Sequence, residues 1–115
     1  MVVLWCGRIV AERYRSGWNT GTDSIIASAG KSVLSALIGQ LSVTGRLALD
    51  DPVTRWLEAG WSRSPSTESR ITLRDLLSMS SGLNDSLQLV AQPGNRFYYN
   101  NPAYYQLFQV AQLAV

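Results

Sequence analysis

From Ser28 to Val43 the apolar residues Val33, Leu34, Leu37, Ile38 and Leu41 recur three and four positions apart, and Gly45 stands where such a run must stop. This spacing predicts a helix with one apolar stripe, and a stripe of that kind has to be buried against another element. The rest of the chain must supply that partner surface. A length of 115 residues leaves room for one core, so we expect residues 1–115 to form a single domain. An apolar share of 46% and a charged share of 16% are ordinary for a chain that folds.

Around this helix the sequence predicts a mixed α and β class, a hairpin followed mostly by helices. Val2 to Cys6 and Ile9 to Tyr14 are β-prone runs flanking Gly7-Arg8, the pattern of two antiparallel strands and a tight turn. Ser16 to Asp23, rich in Gly, Asn, Thr and Ser, reads as a loop. Asp50-Asp51-Pro52 looks like a helix start with Asp51 as N-cap and Pro52 in the first turn. Trp61 to Ser69 reads as a polar loop around Pro65. Thr72 with Asp75 has the spacing of a capping box and opens a short helix, with Ile71, Leu73, Leu76 and Leu77 inward and an end near Ser81-Gly82. Asn84 to Gln92 is expected to hold another short helix, Pro93-Gly94 a turn, and Asn101-Pro102 the start of a last helix through Leu107, Val110 and Ala111.

Cys6 is the only cysteine and there is no histidine, which excludes an intramolecular disulfide, a zinc site built on Cys and His, and any His-based catalytic triad. We expect no cofactor and no metal. The net charge of +2 comes from dispersed arginines and a single lysine, with no basic block, so nucleic acid is not an expected partner. Met1 to Cys6 lacks a leading positive residue and a small-residue cleavage site, and is not a signal peptide. No apolar stretch approaches the ~18 residues of a membrane span. These absences favour the cytoplasm, with the periplasm open if the gene product begins further upstream.

Ser28-Ala29-Gly30-Lys31 lies at the start of the long helix, and a separation of three places the hydroxyl and the amine on one face, a turn apart. Serine is a weak nucleophile until its proton is taken, and with no histidine the neutral amine of a desolvated lysine is the strong base that remains. Free lysine titrates near ~10.4, so Lys31 in that role has to be shifted downward. Unpaired N–H groups at the helix start are available to a developing oxyanion. The structural alternative is a solvated lysine and a capping serine. Gly30-Lys31-Ser32 also ends like a phosphate-binding P-loop, but that motif needs glycine where Ile25 stands.

A second constellation is Pro93-Gly94-Asn95-Arg96-Phe97-Tyr98-Tyr99-Asn100-Asn101-Pro102-Ala103-Tyr104-Tyr105, in which Tyr99 and Asn101 form a Tyr-x-Asn. Taken with Ser28 to Lys31, with Ile71-Thr72-Leu73-Arg74-Asp75-Leu76-Leu77 and with Ser81-Gly82-Leu83, the chain resembles the β-lactamase-related serine hydrolases over nearly its whole length. That group includes class C β-lactamases, D-alanyl-D-alanine carboxypeptidases, family VIII esterases and 6-aminohexanoate-dimer hydrolases. The resemblance implies a β-lactamase/transpeptidase-like fold, an antiparallel sheet flanked by helices, and an acyl-enzyme formed on an ester, a β-lactam or a small amide. It implies Ser28 as nucleophile, Lys31 as the base, Tyr99 sharing proton transfer, and Asn101 binding substrate and helping to orient Lys31. Tyr98 with Asn100 is a competing register, less favoured because the family pattern leaves one residue between Phe97 and the tyrosine. Asn100 replaces the usual serine, at a middle position expected to matter little.

The family's third motif, Lys-Thr-Gly or His-x-Gly on a late strand, has no counterpart, since Lys31 is the only lysine. The chain is therefore expected to be the front part of a longer domain without its C-terminal strands, and weakly active by itself. Losing one oxyanion donor costs ~100- to 1,000-fold in turnover. A small-molecule substrate is the expected partner. The alternative class is a non-catalytic fragment or binding remnant that associates with further copies through exposed apolar surface.

Overall fold

The computed structural model describes residues 1–115. Strands β1 (Val2–Trp5) and β2 (Arg8–Glu12) pair antiparallel across a two-residue loop, Cys6-Gly7, whose φ values of 49° and 74° are both positive. Two positive values mark the turn whose twist matches that of paired strands. The turn thus falls one residue earlier than expected, and Arg8 belongs to β2. Val3 pairs with Ala11 and Leu4 with Ile9, so Val10 is an extra, bulged residue. All residues of both strands are exposed.

The core lies instead among three helices, α1 (Gly30–Val43), α2 (Leu73–Leu77) and α3 (Asn101–Ala114). Along α3 the residues Ala103, Tyr104, Leu107, Val110, Ala111 and Ala114 are buried, a continuous stripe at three- and four-residue spacing. One side of it meets Leu34 and Ile38 of α1, and the other meets Leu73 and Leu76 of α2. Val53, Leu57, Ile71, Met79 and Leu83 fill the space between. The stripe of α1 is only partly covered: Leu41 is half-buried, while Val33 and Leu37 stay exposed. α1 ends with Gly45 N–H donating to Ser42 and Arg46 N–H to Leu41, the paired bonds of a Schellman cap. No helix is long and apolar enough to cross a membrane.

Three connecting segments depart from expectation. Asp51 does not cap a helix; its carboxylate accepts from Ala48 N–H at 2.8 Å and from Arg55 at 2.7 Å. Pro52 is extended and bridges Thr72, with Val53 N–H donating to Ile71 and Leu73 N–H to Asp51, so only a single turn, Val53–Arg55, follows. Pairing with a distant segment has overridden a local helix signal. The capping box forms, with Thr72 accepting from Asp75 N–H and Asp75 accepting from Thr72 N–H, but α2 stops at Leu77, before Ser81-Gly82.

Asn84 to Gln92 holds no helix. The Asn84 side chain accepts from Ser86 N–H and Gln88 N–H, Leu87 is left-handed at φ 59°, and Leu83 bridges Leu89. The asparagine side chain offers the backbone a turn in place of helical bonds. Gly82 sits under this loop at φ 75°, and a Cβ there would lie 2.2 Å from the carbonyl oxygen of Ala91. Only glycine fits that close backbone approach.

Candidate active site

Ser28 occupies the middle of a one-turn 3₁₀ helix, Ala27–Ala29, that runs directly into α1. The residue before it, Ala27, is held at φ 44°. A left-handed alanine is strained, and such strain persists only where the surroundings enforce it. Of the N–H groups near the serine, that of Ala29 already donates to the carbonyl of Ile26 at 3.0 Å.

Lys31, one turn on, donates from Nζ to Ser28 Oγ at 3.0 Å, as a separation of three on one helical face allows. Tyr99, just before α3 and 71 residues from the serine in sequence, donates its phenol proton to the same Oγ at 2.7 Å. The packing of α3 on α1 brings these groups together. Tyr98 points elsewhere: its hydroxyl donates to Asp85 at 2.9 Å, and that carboxylate holds its phenol above the ordinary tyrosine value.

Asn101 is exposed in the first turn of α3 and makes no side-chain hydrogen bond, to Lys31 or to any other group of the chain. The N-cap of α3 is its neighbour. Buried Asn100 accepts from Ala103 N–H at 2.9 Å and donates through Nδ2 to the carbonyls of Leu83 and Asn84 at 2.8 and 2.9 Å. The middle position of Tyr-x-Asn, expected to matter little, therefore ties the start of α3 to the Ser81-Gly82-Leu83 segment.

The electrostatics reverse one expectation. Lys31 is not pushed down: the Tyr99 phenol beside it holds its ammonium above the ordinary lysine value, outweighing desolvation, which acts in the other direction. Tyr99 moves the opposite way. The Ser28 hydroxyl and then the Lys31 ammonium beside it hold its phenol below the ordinary tyrosine value. A cation beside a phenol favours the ammonium and the phenolate together.

Two residues to which the sequence assigned no role complete the surroundings. Buried Tyr104 donates its hydroxyl to the backbone carbonyl of Lys31 at 2.9 Å, across 73 residues of sequence. Tyr105 places its ring centroid 5.2 Å from Lys31 Nζ. The adjacent tyrosines were visible in the sequence, but nothing local ties them to a lysine on another helix. Beside the cluster runs an open groove of about 380 Å³, walled by Lys31, Tyr99 and Tyr104 and by Leu77, Met79 and Phe97.

Known proteins share this architecture. The beta-lactamase family model matches residues 1–112. Among solved structures, the chain is similar to a "putative beta-lactamase" of Bacteroides dorei DSM 17855, with 28% identity and a TM-score of 0.82 over 98% of this chain and 40% of that one. It is similar to a penicillin-binding protein of Bacillus halodurans, with 25% identity and a TM-score of 0.65 over 77% of this chain and 34% of that one. A "putative 6-aminohexanoate-dimer hydrolase" of Bacillus anthracis shares the fold, with 19% identity and a TM-score of 0.86 over 99% of this chain and 39% of that one. No curated protein sequence matches. The chain thus spans 34 to 40% of the length of these three structures. The hairpin and the helices that follow it are part of a β-lactamase/transpeptidase-like fold. With its sequence matched almost from end to end and its backbone superposing on such structures, the chain belongs to the beta-lactamase family.

Proposed function

We propose that this chain carries the nucleophile and the proton-transfer groups of a serine hydrolase that forms an acyl-enzyme on an ester, a β-lactam or a small amide. One observation carries the reading: Lys31 Nζ and Tyr99 OH converge on Ser28 Oγ at 3.0 and 2.7 Å from separate parts of the chain. A hydroxyl with an amine and a phenol in hydrogen-bond reach has what nucleophilic catalysis without histidine requires.

In this reading the Tyr99–Lys31 pair, with its proton on lysine, takes the Ser28 proton onto the phenolate. Oγ then bonds to the substrate carbonyl carbon. As the tetrahedral intermediate collapses, the carbon–leaving group bond breaks and the phenol returns its proton to the leaving group. Water repeats the sequence in reverse roles to release the acid. Lys31 in this reading serves as the cation that favours ionisation of Tyr99, in place of the neutral amine base expected at first. Asn101, free of internal hydrogen bonds, is available to substrate.

The test is covalent labelling of the intact chain with a fluorophosphonate or a labelled penicillin, followed by intact mass. One adduct, mapped to Ser28 and absent from Ser28→Ala, is expected; an unlabelled protein after prolonged exposure would overturn the reading. The exposure of Val2, Val3, Leu4, Trp5, Ile9 and Val10 favours a second reading, a non-catalytic piece that associates through apolar surface. Oligomerisation that rises with concentration, without acylation, would support it.

A further inference from the structure

Lys31 Nζ has no carboxylate within ion-pair distance, for the chain's two ion pairs are Arg55–Asp51 and Arg74–Asp50. What accompanies the ammonium is aromatic. The ring centroids of Tyr99, Tyr105 and Tyr104 lie 5.1, 5.2 and 5.8 Å from Nζ, each within the ~6 Å over which a cation is drawn to a ring face. These rings come from the approach to α3 and from its first turns, whereas the lysine comes from α1. The titratable groups around Nζ are these three phenols and the Ser28 hydroxyl it bonds.

The three tyrosines are not equivalent. Tyr99 reaches Ser28 directly, and Tyr104 is buried and anchored to the Lys31 carbonyl, so both have other work. Tyr105 makes no hydrogen bond to the cluster and is half-exposed, its ring face turned to Nζ. Its ring is braced by Phe108, one turn along α3, with centroids 5.9 Å apart. A lysine side chain has four freely turning bonds and loses much rotamer entropy when held to one partner. An aromatic wall on the solvent side offsets that loss and keeps Nζ on Oγ.

We propose that Tyr105 is a positioning residue, its ring face completing with Tyr99 and Tyr104 a three-sided cage that holds the Lys31 ammonium charged and directed at Ser28. The inference deepens the hydrolase reading, since it concerns the same amine, but its readout does not require acylation.

Lys31 is the only lysine, so the chain labelled with ¹³C at the lysine ε-carbon gives one side-chain signal whose pH titration reports Nζ directly. The unaltered chain is expected to titrate above free lysine. Tyr105→Leu, and Tyr105→Gln read in parallel because glutamine is a good helix former, should lower the midpoint by about half a pH unit. Tyr105→Phe, which keeps the ring face and loses only the hydroxyl, should leave it in place. Equal midpoints in the Leu, Gln and unaltered chains would overturn the proposal. So would a Phe variant that falls as far as Leu, because the phenol's charge and not its ring would then be responsible. Loss of covalent labelling with the titration as expected would remove the hydrolase reading and leave the cage.

Discussion

Tyr99 and Lys31 shift in opposite directions, Tyr99 through Ser28 and then Lys31 and Lys31 through Tyr99, and in the proposed mechanism that decides which group takes a proton from Ser28. Tyr99 is lowered from the ordinary tyrosine value and Lys31 raised from the ordinary lysine value, each chiefly through the hydrogen-bonding groups beside it. The rate of covalent labelling of Ser28 should therefore rise with pH through the lowered Tyr99 value and fall again only where Lys31 deprotonates. Tyr99→Phe should remove the rising limb and slow labelling by about 100-fold or more, the usual worth of a positioned acid–base group. Labelling rates measured from pH 6 to 11 on both proteins check this (about half a pH unit below free histidine to about one above free tyrosine on the reference scale); a Phe variant with an unchanged profile would return the role to Lys31.

At the scale of elements, hydrogen bonds from side chain to backbone determine how the segments between helices are held. Asn100 ties α3 to Leu83 and Asn84, and Glu68 does the same for the loop before α2. The Glu68 carboxylate is buried in the 3₁₀ helix Pro65–Arg70 and accepts from Gly60 N–H at 2.9 Å, Ser62 N–H at 2.8 Å and Ser62 Oγ at 2.7 Å. Burial alone would push it up, but these bonds outweigh burial and hold it below the ordinary carboxylate value. A depressed carboxylate stabilises the fold above the unfolded value of about 4.3, and this contribution is lost as pH falls through the lower folded value. Glu68→Gln should destabilise the chain by about 2 kcal/mol at neutral pH and flatten the acid limb of its stability curve. Urea denaturation at pH 7 and at pH 3.5, roughly a unit below that reference, measures both effects.

The whole molecule is elongated, 52 × 31 × 23 Å, with a radius of gyration of 17.7 Å against about 13 Å for a compact chain of this length. The excess arises from the region ahead of α1, where β1, β2 and the residues up to Ala29 are exposed apart from half-buried Trp18. A lone two-stranded hairpin is marginal in water, whereas α3 is buried along one whole stripe. Hydrogen exchange should therefore be fast throughout Val2 to Glu12 and slowest around Leu107 to Ala111. Protection of the hairpin equal to that of α3 would show that something covers it.

Patterns confined to a few neighbouring residues were legible in the sequence: the hairpin, the stripe of α1, the Thr72–Asp75 cap, the α3 stripe, and the serine and lysine one turn apart. Each is set by spacing along one element, which sequence displays directly. What only the tertiary structure decided depends on elements meeting: Pro52 extended against Thr72, Asn84 turning the chain where a helix was expected, Asn100 capping α3 while tied to Leu83 and Asn84. The same holds for the site. The company of Tyr104 and Tyr105 and the upward shift of Lys31 follow from α3 packing on α1, because Coulomb and hydrogen-bond energies depend on distances through space, and these are set by burial of the two stripes.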